Sequence, residues 1–74
     1  MMTKSTFVNL HLRRFWTIKT DVPNRRITVL YGKIGKPGGR KVRDRKTLLS
    51  NEAVRELAES LIENRIANGY EQVA

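Results

Sequence analysis

The sequence predicts an α+β fold: an antiparallel β-sheet of four to five strands with one amphipathic α-helix packed on one face. Three observations predict it. Short segments of two-residue alternation fill the chain up to residue 47, turn-forming residues separate them, and the apolar period then lengthens to that of a helix. With 74 residues the chain has room for one small domain, spanning 1–74. It has no cysteine, so neither a disulfide nor a thiolate-bound metal holds it together.

The first strand is expected in "FVNLHL", residues 7–12, where Val8, Leu10 and Leu12 alternate with Phe7, Asn9 and His11. "RFWTIKT", residues 14–20, repeats the pattern and puts Trp16 and Ile18 on one side. "DVPN", residues 21–24, then supplies the Asp, Pro and Asn that suit a turn. The next strand, "RRITVLYGKI", is rich in β-branched residues, with Ile27, Val29 and Tyr31 on one face and Arg26, Thr28 and Leu30 on the other. "KPGG", residues 36–39, is the strongest turn signal in the chain, since Pro37 fixes one φ angle and the glycines allow positive φ after it. A fourth strand, "RKVRDRKT", should leave that turn.

From Ser50 onward the chain reads as a helix over residues 51–67. Ser50 is a suitable N-cap and Glu52 sits where the helix dipole favours negative charge; Val54, Leu57, Ala58, Leu61, Ile62 and Ile66 recur at helical spacing. Glu52, Glu56, Glu59 and Glu63 mark the solvent side, and Asn68 and Gly69 are stop residues. "YEQV", residues 70–73, is a candidate fifth strand.

Charge is divided between the two halves of the chain. Residues 1–46 carry 13 Lys and Arg against Asp21 and Asp44, whereas residues 47–74 carry Arg55 and Arg65 against five Glu. Such asymmetry points to an anionic partner for the basic part, nucleic acid first and an anionic surface second. No apolar run approaches a membrane span and no secretory segment opens the chain, so a cytoplasmic protein is expected.

Catalysis is not expected. His11 is the only histidine, and with no cysteine no nucleophile–base pair or metal cluster can be assembled around it, so it reads as a surface or rim residue. Neither a phosphate-binding Gly-Lys-Ser/Thr loop nor a dinucleotide glycine spacing is present. No cofactor and no metal are called for.

The densest chemistry lies in "YGKIGKPGGRKVRDRK", residues 31–46, with four glycines and seven basic side chains. In an extended strand Lys41, Arg43 and Arg45 would lie on one side at ~6.6 Å intervals, a stripe for successive phosphates that Arg40 and Lys46 could join. The competing reading is a solvated edge strand, whose cations prevent edge-to-edge pairing. Trp16 beside Arg13 and Arg14 could stack a base, but its parity with Ile18 favours the core.

Tyr31-Gly32-Lys33, followed by Ile34 and Gly35, resembles the Trp-Gly-Arg signature of the WGR domain family. The surroundings agree: a hairpin-rich sheet before it, a glycine-containing turn and basic strand after it, and a helix that ends near Gly69-Tyr70. The likeness runs from about Asn9 to Gln72. WGR domains occur in poly(ADP-ribose) polymerases and in bacterial proteins, including regulators linked to molybdate metabolism. In the polymerases the signature Trp packs on the sugar at a DNA break. The resemblance therefore implies a stacking role for Tyr31, weaker than that of Trp, and a phosphate-binding point charge at Lys33, which lacks the planar fork of Arg. By strand parity Tyr31 is equally a core aromatic at the end of the sheet.

Together these readings give a non-enzymatic nucleic-acid-binding module with DNA, as duplex or duplex end, as its partner. Affinity is expected from phosphate contacts by Lys33, Lys36, Arg40, Lys41, Arg43 and Arg45, with stacking by Tyr31 and low sequence specificity. The alternatives are a protein-interaction or self-association module whose basic face meets an acidic partner or a second copy, and RNA or single-strand binding.

Overall fold

A computed structural model describes residues 2–35, 41–48 and 50–74, with the backbone alone for 41–47. The strands are β1 (Met2–Asn9), β2 (Arg14–Asp21), β3 (Arg26–Lys33) and β4 (Lys41–Thr47), followed by helix α1 (Asn51–Ala67) and the short strand β5 (Glu71–Gln72). They form one antiparallel sheet in the order β4-β3-β2-β1-β5. This is the expected α+β arrangement, with β5 in the place foreseen for "YEQV". No helix among the described residues is long and apolar enough to cross a membrane.

The first strand departs from expectation. It starts at Met2 and ends at Asn9, and Leu10 to Arg13 form a turn where the alternation predicts strand through Leu12. Leu10 and Leu12 are exposed, whereas Phe7 and Asn9 are buried, so of the two alternating sets the one with Phe7 and Asn9 faces inward. The cause is Asn9: its Oδ1 accepts from Leu12 N at 3.0 Å and closes the turn, while its Nδ2 donates to Asn68 O at 3.2 Å beneath the helix C-terminus. A polar residue with both ends of its amide satisfied can be buried at little cost.

The second hairpin uses the same device. Asp21 Oδ1 accepts from Asn24 N at 3.4 Å and its Oδ2 from Asn24 Nδ2 at 2.8 Å, and these bonds hold the Asp21 carboxyl below the ordinary carboxylate range. Each turn ends on an arginine in the left-handed region, Arg13 at φ 54° and Arg25 at φ 53°. Their amides donate back to Leu10 O and Val22 O, so the two turns are built alike.

The core lies between the sheet and α1. Phe7, Trp16, Ile18, Ile27 and Val29 from the strands meet Val54 and Ala58 from the helix, with Tyr70 closing one end. Leu57, Leu61 and Ile62 pack at the margin as the helical period required. Ile66 does not: it is exposed, and Arg65 takes the place over the core, with its guanidinium carbon 5.2 Å from the Trp16 ring centroid and 5.5 Å from that of Tyr70. A guanidinium over an aromatic face is attracted by the ring quadrupole, and its stem covers apolar surface that Ile66 cannot reach. Ser50 caps the helix by accepting from Ala53 N, and the chain leaves it at Asn68 and Gly69, the latter at φ 91°.

Candidate nucleic-acid interface

The Tyr31-Gly32-Lys33 segment forms the last three residues of β3, and the register fixes its neighbours. Tyr31 stands opposite Trp16, Gly32 opposite Phe15 and Lys33 opposite Arg14. Directly opposed residues share a sheet face, so Tyr31 and Lys33 lie on the helix side, Tyr31 at the margin of the buried core and Lys33 beyond its end. Tyr31 is half-buried and packs against the core cluster; Lys33 is exposed. The tyrosine thus takes part in the core, as its strand parity allowed. Trp16 is 2 % exposed and fully in the core, which removes it as a stacking surface.

The exposed pair Arg14 and Lys33 is the electrostatic centre of this end. Like charges directly opposite each other on adjacent strands destabilise a sheet unless an anion lies between them. Two further cations stand close by in the fold. Arg13 accepts a hydrogen bond from Ile34 N on its carbonyl at 2.9 Å, which ties the β1–β2 turn to the end of β3, and Arg65 lies over Trp16, the cross-strand neighbour of Tyr31. Leu10, Leu12 and Ile34 add exposed aliphatic surface around the turn.

Arg13, Arg14 and Arg65 were not among the expected site residues, although a signal existed for each. Arg13 and Arg14 follow Asn9 at the spacing of a capped turn, which would have brought them beside the end of β3. Arg65 falls eleven residues after Val54, on the apolar stripe of the helix, where only a side chain with an apolar stem fits.

The basic strand is more interrupted than its sequence suggests. β4 pairs with β3 through Arg45 opposite Thr28, Asp44 opposite Val29, Val42 opposite Leu30 and Lys41 opposite Tyr31, with a register shift between Val29 and Leu30. Arg43 falls at the shift. Lys41 and Arg45 therefore stand in register with residues of opposite parity, and the regular alternation expected for 41–45 is broken by this bulge. Lys36, Arg40 and the "KPGG" turn lie outside the described residues.

The family model described as "WGR domain" matches residues 1–74, the full sequence. No curated protein and no solved structure matches the chain.

Proposed function

The chain belongs to the WGR domain family, whose members generally bind nucleic acid, and from that premise we propose that it is a non-enzymatic DNA-binding module. The observation that carries the reading is the opposed pair Arg14 and Lys33 beside half-buried Tyr31, within a segment of 13 basic and two acidic residues. A duplex phosphate backbone supplies the anions that such a pair lacks, and it does so without regard to sequence. Lys41 extends the row in register with Tyr31, and Arg43 and Arg45 follow along the edge strand. Lys36 and Arg40 complete the basic set. The exposed part of the Tyr31 ring offers a sugar or base contact at a duplex end. A cytoplasmic setting belongs to the same proposal.

A salt titration tests it. With about five phosphates neutralised, log affinity for a labelled duplex should fall against log salt with a slope near −4.5. Arg14→Ala with Lys33→Ala should make that slope shallower by about 1.8. Tyr31→Ala should leave the slope alone and weaken binding to duplex ends by ~1 to 3 kcal/mol. A flat salt response would overturn the reading and favour an acidic protein partner; a Tyr31→Ala protein that melts early but binds normally when folded would assign that ring wholly to the core.

A further inference from the structure

The turn between β1 and β2 puts aliphatic side chains where the core gains nothing from them. Leu10 is 74 % exposed and Leu12 53 %, so both are open to a partner as they stand. The backbone that carries them is braced. Arg13 N donates to Leu10 O at 3.3 Å across the turn, and Leu12 N donates to Oδ1 of the buried Asn9 at 3.0 Å. Asn9 Nδ2 donates in turn to Asn68 O at 3.2 Å at the end of the helix, and Ile34 N donates to Arg13 O at 2.9 Å from the end of β3. The leucines are therefore held in solvent by a fixed frame. Exposed Arg13 and Arg14 follow them directly, Lys33 stands opposite Arg14, and residues 1–20 contain no Asp or Glu. The nearest carboxylate in the register, Glu71, pairs with Val8 and so belongs to the other side of the sheet.

We propose that this turn is an apolar wedge for nucleic acid: Leu10 and Leu12 enter an opened base stack while Arg13, Arg14 and Lys33 hold the phosphates beside it. The inference rests on the nucleic-acid reading above and adds to it a contact with bases, which phosphate binding does not include. Leucine is among the side chains that part base steps, and a wedge works only when the backbone behind it does not yield. The braced turn meets that condition. Opening an intact stack is costly, and a site where a base is already unpaired spares most of that cost. The preferred partner is then a duplex interrupted by an unpaired base. Other occupants fit less well. Two copies meeting tip to tip would press Arg13, Arg14 and Lys33 against their own equivalents. A lipid surface suits the charge, but two isobutyl groups bury less than one acyl chain, which by itself anchors a protein only marginally.

The test uses the full chain with two covalently closed DNA dumbbells, which have no ends. Both carry 2-aminopurine at the same stem position, and one has a single extra adenine beside it. Anisotropy and 2-aminopurine emission are followed across a salt series. The protein should bind the bulged dumbbell about tenfold more tightly than the intact one and raise its emission as the neighbouring base loses its stack; tenfold corresponds to roughly 60 Å² of aliphatic surface removed from water. Leu10→Ser with Leu12→Ser should abolish both effects, so that the two dumbbells bind alike with the salt slope unchanged. Both residues are exposed, so this variant should melt as the parent does. Should it fail to fold, Leu10→Ser alone, at the more exposed position, must lose most of the preference for the proposal to stand. Equal binding of the two dumbbells by the parent, or a preference that survives the serines, would overturn it. So would leucine-dependent sedimentation with phosphatidylserine vesicles by a protein whose dumbbell preference does not need the leucines, which would put lipid on the tip. Salt-dependent binding of both dumbbells without discrimination sinks the wedge alone, whereas no binding to either removes the nucleic-acid reading with it.

Discussion

Arg13 and Arg25 occupy the left-handed backbone region, where glycine or asparagine would cost less, and each ends a turn capped by an Asx side chain four residues earlier. Under the proposed duplex reading the Arg13 side chain has a use that glycine could not serve, because the residue sits beside Arg14 and Lys33 at the basic end of the sheet. Arg13→Gly should therefore raise stability by roughly 1 kcal/mol and at the same time weaken duplex binding, two readouts of opposite sign in a melt and a titration. Loss of both, or gain of both, would remove the functional reason for the strained residue. Gly69 is the converse case. It needs φ 91°, and a Cβ there would meet Asn9 Nδ2 at 3.3 Å, so Gly69→Ala should cost ~1 to 2 kcal/mol by thermal melting. The importance of Asn9 was not legible in "FVNLHL": leucines on either side of His11 imitate strand alternation, and no glycine or proline announces the turn. "DVPN" carries the same capped turn and was legible because Pro23 is in it.

Helix α1 was legible from cap to cap, since local rules govern it. Its N-cap, its acidic first turn and its stop residues all stand where short-range chemistry puts them. Its burial was less so. Val54 is fully buried and Val54→Ala should cost about 2 kcal/mol through the cavity it leaves, whereas Ile66→Ala, on an exposed residue, should stay within about 0.5 kcal/mol. Equal effects of the two in denaturant melts would show that the end of the helix is packed differently. Ser50→Ala should cost about 1 kcal/mol, as loss of an N-cap does. The strands were legible only where one face is fully apolar, as in β2 and β3. In β1 the inward residues include Ser5 and Asn9, and the pairing that selects them comes from another strand, Ser5 facing Ile18 and Asn9 facing Arg14 of β2. The shift at Arg43 was likewise hidden, because a bulge is decided by the partner strand and "RKVRDRKT" alternates without a break.

Over the molecule as a whole, the sheet carries cations on both of its faces while the outer side of the helix carries the glutamates, and the formal net charge is +8. A small domain with so much charge of one sign repels itself, so its stability without a ligand should rise as salt screens that repulsion. Its affinity for a nucleic acid should fall over the same range, because salt removes the entropy gained on counterion release. The two trends cross in a single experiment. At low salt, duplex held free at a hundred times its dissociation constant should add about 2.7 kcal/mol of stability, or roughly 10 to 20 °C in Tm for a chain of this size. At several hundred millimolar salt the duplex should add almost nothing, while the unliganded protein melts higher than before. A duplex-induced Tm gain that survives high salt would mean that apolar or base-specific contacts, rather than the basic rows, hold the complex. A free protein whose Tm falls as salt is added would show that its cations are already neutralised within the fold, and the anion-seeking character assigned to Arg14 with Lys33 would then be lost.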